Sequence, residues 1–115
     1  MADAPPGNRA FVCFHHPPVD LRVRYVDSIR QFGEERLAEV LARHPHVVGV
    51  LCGHSHTPAA TVFAGLPLVV APGVVSSLRM SCEGPPLLDH VPPPMFAFHV
   101  PADTGRLTTH FRVVP

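Results

Sequence analysis

Apolar residues along this chain gather in short runs separated by prolines and glycines, and the runs follow two different periods. Residues 9–14 are almost wholly apolar and rich in strand formers, with Pro5, Pro6, Gly7 and Asn8 before them and His15, His16, Pro17 and Pro18 after. The pattern predicts a buried strand that stops at the histidines, because two prolines in a row cannot donate to a ladder. The same prolines fix the direction in which the backbone leaves, so side chains at His15 and His16 are held in place. Residues 19–32 keep no clean period and predict a loop with a turn of helix around Asp27 to Phe32. From Gly33 the spacing changes: Leu37, Val40 and Leu41 recur three and four apart, with Glu34, Glu35, Arg36, Glu39 and Arg43 elsewhere on the surface. An amphipathic helix of about three turns follows, with acids at its start where the helix dipole favours them. Pro45 ends it by His44.

Val47 to Cys52 is continuously apolar, as expected of a strand covered on both faces, and it runs into Gly53, His54, Ser55 and His56. Strand, helix, strand in this order predicts a right-handed crossover joining a parallel pair. Both histidine groups then lie along the carboxyl edge of one sheet, the edge at which open α/β sheets bind ligands. Ala59 to Phe63, the Ala64-Gly65 pair and Leu66 to Ala71 predict a hairpin. Residues 72–94 hold Gly73, Gly84 and six prolines, and predict a long ordered loop with little regular structure. Met95 to Val100 and Leu107 to Val113 predict a closing hairpin around Asp103 and Gly105.

Composition narrows the class. The chain's 115 residues suit one domain, 1–115, with 1–8 as a linker, and its 15 prolines exclude a helical bundle. Nine arginines, no lysine and nine acids give zero net charge, which argues against a nucleic-acid partner. The longest apolar stretch, Leu66 to Val75, is interrupted by Pro67, Pro72 and Gly73 and is too short to span a membrane. The first residues carry neither a basic nor an apolar signal segment, so a soluble cytoplasmic protein is expected. Cys13, Cys52 and Cys82 form no C-x-x-C pair and are expected as reduced thiols, with Cys13 and Cys52 in the core.

Nine histidines make imidazole the conspicuous chemistry of the chain. A neutral imidazole binds borderline divalent ions through one ring nitrogen. In an extended segment residues i and i+2 project to one side, so His54 and His56 are both expected to face His15. Either histidine group alone is weak. Both together, each directly after an apolar strand and separated by one helix, predict a metal site. His44 fits a helix C-terminus, while His46, His90, His99 and His110 show no matched spacing and are expected as bystanders. Ser76 and Ser77 lack a G-x-S-x-G elbow, which excludes a serine hydrolase. Asp27 and Asp89 border the site without a role assigned to them.

Phe11 to Pro18, together with Val50 to Pro58, resembles the last two metal-binding motifs of calcineurin-like metallophosphoesterases. Leu41 to Pro45 and Pro93 to Val100 are similar to the class III cyclic nucleotide phosphodiesterase branch. The resemblance spans roughly residues 10–113 and corresponds to the C-terminal half of such an enzyme. It implies an α/β fold, namely half of a four-layer αββα sandwich with mixed sheets and one crossover helix. It implies hydrolysis of 3',5'-cyclic AMP or a related phosphodiester by a metal-bound hydroxide, with two divalent ions (Mn, Fe, Zn or similar). His15 and His54 would hold one ion and His56 the other, with His16 on the substrate side or behind the ligands.

The family's D-x-H, G-D and G-N-H motifs have no counterpart here, which removes the bridging carboxylate. Two cations about 3.5–4 Å apart would then repel across neutral imidazoles, so the chain alone is expected to hold at most one ion and to be inactive or nearly so. A complementing N-terminal half, or self-association, would cover the strands left open. The alternative from another class is a non-catalytic metal-binding or interaction module.

Overall fold

The computed structural model describes residues 7–115; most of the expected 1–8 linker lies outside them. Strand β1 (Ala10–Cys13) leads through two helices, α1 (Arg24–Ser28) and α2 (Glu34–Ala42), to β2 (Val47–Cys52). The hairpin β3 (Ala59–Phe63) and β4 (Leu66–Val70) follows, then a miniature hairpin of β5 (Ser77–Leu78) and β6 (Leu88–Asp89) with one 3-10 turn between its strands. The chain closes with β7 (Met95–Pro101) and β8 (Leu107–Val113). The fold is α/β, with a four-stranded mixed sheet ordered β1-β2-β4-β3 and two separate two-stranded sheets.

β1 pairs with β2 in parallel, and β2 with β4 in parallel. β3 returns antiparallel along β4, and both residues of its connection, Ala64 and Gly65, take positive φ (50° and 76°). That conformation matches the twist of the flanking strands in a two-residue hairpin. The core lies where Leu41 of α2 meets Val47, Val50 and Cys52 of β2, Leu68 and Val70 of β4, and Phe63. β2 is buried along most of its length, as its unbroken apolar run foretold. Gly49 earns its place by space: a Cβ there would lie 3.3 Å from Leu107 of β8 and 3.3 Å from the Phe11 ring.

Several expectations change. β1 is a half-buried edge strand rather than a buried one, because it has a neighbour on one side only among the described residues. Its last residue, Cys13, is exposed, so only Cys52 of the expected pair is a core thiol. The helical turn in the first loop sits at Arg24–Ser28, earlier than the expected Asp27 to Phe32. It is set by Val23 and Val26, which are buried, and by Asp27, whose carboxylate accepts the Leu21 N–H at 2.7 Å. Residues 72–94 are, as expected, an ordered loop with little regular structure, holding two two-residue strands and one 3-10 turn. Arg79 holds Asp89 through Nε at 3.0 Å and a second guanidinium nitrogen at 2.9 Å, bracing a ladder only two residues long.

Candidate functional site

Three parallel-strand ends meet at one edge of the sheet, and main-chain bonds tie them together. Phe14 N–H donates to the Leu51 carbonyl (3.1 Å), Gly53 N–H to that of His15 (3.0 Å), and Ala71 N–H to that of Cys52 (2.8 Å). The loops after β1, β2 and β4 therefore converge, bringing His15 and His16, Gly53 to His56, and Pro72 to Ser76 to one place. Pro17 and Pro18 are fully buried behind the first loop. The Pro17 carbonyl accepts the Gln31 N–H at 2.9 Å, so the expected rigid exit from β1 is anchored from within.

The segment carrying His54 and His56 is not extended. Ser55 N–H donates to the Gly53 carbonyl at 2.7 Å, closing a three-residue turn with His54 at its centre and φ at 65°. His56 also lies in the left-handed region, with φ 49°. Two non-glycine residues in that region within three positions concentrate strain of the kind that persists at functional sites. The alternation expected to turn both rings toward His15 is therefore absent, and only the His54 ring packs against His15 and His16.

The ring that joins His15 and His54 is His16. Ring centroids lie 5.0 Å apart for His15 and His16, 5.2 Å for His15 and His54, and 4.0 Å for His16 and His54. Burial pushes the His54 pKa down, and the neighbouring His16, His15 and His56 push it the same way, so the neutral form of this imidazole is favoured. Its Nε2 is buried and finds no hydrogen-bond partner among the described residues. A buried ring nitrogen without a hydrogen-bond partner is costly unless something else satisfies it.

His56 takes a different setting. Its Nδ1 lies 2.9 Å from the Ser76 hydroxyl, and its carbonyl accepts the Leu78 N–H at 3.0 Å. With Nδ1 engaged, Nε2 is the nitrogen left for a ligand. His54 and His56 share a cavity of about 170 Å³ whose other walls are Tyr25, Val26, Leu78, Leu87 and Leu88. A larger cavity of about 510 Å³ between α2 and the end of β1 is lined by Phe14, Phe32, Leu37 and Val40, with none of the nine histidines in it.

The donor chemistry suits a borderline cation in part. His54 offers a neutral, unpartnered nitrogen, and His56 a ring oriented through its other nitrogen. Among the described residues, however, no three His, Cys, Asp or Glu side chains are disposed to hold an ion.

Of the bordering acids, Asp27 caps a loop and Asp89 pairs with Arg79, so both are occupied structurally. Ser76, set aside as a nucleophile, does touch the site through His56; no spacing in the sequence announces that contact. Among the described residues no helix is long and apolar enough to cross a membrane.

No family model matches the chain. It is similar to bacterial phosphodiesterases. A probable cyclic nucleotide phosphodiesterase of Rhodopseudomonas palustris is 31% identical over 96% of this chain and 40% of its own length. A 3',5'-cyclic adenosine monophosphate phosphodiesterase of Escherichia coli is 33% identical over 95% of this chain and 38% of its own length. A probable glycerophosphodiester phosphodiesterase of Arcobacter nitrofigilis is 28% identical over 91% and 39%, respectively. The chain thus spans about two fifths of the phosphodiesterases it matches. These relatives agree with the phosphodiesterase resemblance drawn from the histidine motifs.

Proposed function

We propose that this chain is the C-terminal portion of a metal-dependent phosphodiesterase that hydrolyses a cyclic nucleotide or a related phosphodiester. The observation that carries the proposal is His54: an imidazole with a lowered pKa at the carboxyl edge of the sheet's parallel strands, its Nε2 buried and unpartnered among the described residues, packed against His15 and His16. Phosphodiesterase relatives aligned over nearly all of the chain support the same reading.

In this proposal His15 and His54 hold one divalent ion (Mn, Fe, Zn or similar) and His56 faces a second. Such ions supply Lewis-acid polarisation of the phosphoryl oxygens. His16, packed against His54 with the two rings tilted by 41°, faces the substrate side and steadies the ligand ring. The apolar wall of Leu78, Leu87 and Leu88 beside His54 and His56 suits the organic ester group rather than the phosphate.

The remaining ligands would come from a complementing N-terminal half or from a second copy of the chain. Among the described residues β1 has an open edge, and Phe96, Phe98 and Val100 form an exposed apolar row on β7. Open edges and apolar rows of this kind are places where another polypeptide adds. With such a half in place, the mixed sheet and the β7–β8 hairpin would form part of the four-layer sandwich.

The test is hydrolysis of bis(p-nitrophenyl) phosphate and cyclic AMP with added Mn²⁺, by this chain and by a version lengthened to the size of the relatives. Activity is expected in the longer protein and is expected to vanish on His15→Ala combined with His54→Ala. Activity surviving both substitutions overturns the site. A second reading, a non-catalytic metal-binding or interaction module, is favoured by the incomplete donor set among the described residues. Metal binding without hydrolysis in the longer protein would establish it.

A further inference from the structure

The loop after β4 closes on His56 from three directions. Ser76, 6% exposed, places its hydroxyl 2.9 Å from His56 Nδ1. Leu78 N–H binds the His56 carbonyl at 3.0 Å and fixes its backbone. Gly73 passes so close that a Cβ there would stand 3.2 Å from His56 Cβ and 1.9 Å from the Ser76 carbonyl oxygen. No side chain fits at position 73 while Ser76 keeps its place, so the approach of the loop depends on glycine.

We propose that Gly73 and Ser76 form a cradle that positions the His56 ring, with Ser76 the positioning residue and Gly73 the space that admits it. An imidazole has two nitrogens, and the bond made by one sets how the other is presented. A hydroxyl serves here better than a carboxylate or a main-chain carbonyl, because it both donates and accepts. Ser76 stays bonded to Nδ1 in either tautomer, so the ring keeps its orientation whether Nε2 carries a proton or faces a cation. The left-handed backbone of His56, φ 49°, is held by the same contacts. The cradle explains a buried serine that no nucleophile motif accounts for. Its role as a ligand support rests on the proposed function, in which His56 faces a metal ion; its existence does not.

The test uses the whole chain labelled with ¹⁵N, with long-range correlations read at the His56 ring for the wild type, Ser76→Ala, Ser76→Thr and Gly73→Ala. Wild type and Ser76→Thr are expected to share one His56 Nδ1 shift. Ser76→Ala and Gly73→Ala are expected to share another, closer to that of a ring bonded only to water. Circular dichroism checks that each variant folds, and Ser76→Ala, which removes one oxygen atom, decides the matter if Thr or Ala at the other positions does not. An unchanged Nδ1 shift in folded Ser76→Ala overturns the cradle, whatever the metal chemistry. Zn²⁺ affinity is measured by calorimetry on the same substitutions in the version lengthened to the size of the relatives, where the second ion has its remaining donors, and a loss of about tenfold at that second site in Ser76→Ala supports the positioning role. A changed Nδ1 shift with Zn²⁺ affinity equal in the wild type and Ser76→Ala, or absent from both, overturns that role and with it the reading of His56 as a ligand, while the hydrogen bond itself stands.

Discussion

Leu68 lies at the centre of β4 with no exposed surface, paired in parallel with Val50 of β2 on one side and with Thr61 of β3 on the other. Its strand ends in the loop that reaches Ser76, so the core and the site share this element. Leu68→Ala removes three buried carbons. At about 0.8 kcal/mol for each, the lost transfer energy is about 2.4 kcal/mol. A cavity that strands on both sides keep from collapsing raises the cost to about 3–4 kcal/mol. Against the roughly 5–15 kcal/mol of stability usual for a domain, that is a large fraction. Urea unfolding followed by circular dichroism measures it, with Val62→Ala as the control, since Val62 is 67% exposed on the neighbouring β3. The control is expected to change stability by less than about 0.5 kcal/mol. A cost below about 1 kcal/mol for Leu68→Ala, or equal costs for the two variants, would refute the placement of the core between β2, β3 and β4.

Other outcomes follow from the same structure. His54 and His99 both have pKa values lowered by burial from the ordinary 6.5, so the unfolded chain binds protons that the native one resists. Stability is therefore expected to be full above pH 6.5 and to fall as the pH drops through the lower native values, seen as a declining melting temperature between pH 7.5 and 5.5. A flat profile counts against the burial of both rings. Cys52, pushed up to about 12 by burial and then by Cys13, is expected to resist thiol reagents at pH 8, while exposed Cys13 and Cys82 react. Three equally fast thiols in the folded chain contradict it. Asp89→Asn weakens the brace to Arg79, and amide exchange at Leu78 and Arg79 is expected to quicken while that of Val50 stays slow.

How much of this was legible beforehand depends on whether the cause was local. The α2 helix could be read from Leu37, Val40 and Leu41, and the β3–β4 and β7–β8 hairpins from runs bounded by turn residues, because those signals lie within a few positions. The parallel pairing of β2 with β4 could not, since both strands are simply apolar and nothing in either names its neighbour. The edge position of β1 was hidden for the same reason: its apolar run describes a strand's faces but not whether both its sides are paired. At the site, the grouping of His15 with His54 was legible from their places after two parallel strands. The backbone at His54 and His56 was not, because a left-handed histidine has no sequence mark like glycine's, and the assumed extended segment assigned His56 a place that His16 occupies. Ser76 was invisible because its partner lies 20 positions away, on the far side of the β3–β4 hairpin.

The three main-chain bonds that link the ends of β1, β2 and β4 have a bearing on how this site could change over time or in the laboratory. None of them involves a side chain. The positions after the strands are therefore platforms whose coordinates belong to the backbone, and the letters written on them are exchangeable. A thiolate or carboxylate placed at position 15 would inherit the location of the imidazole it replaced and, on the proposed function, bring a different preference among metals. If the proposed function holds, a donor swap at position 15 should alter which ion is taken up well before it disturbs the architecture that presents it.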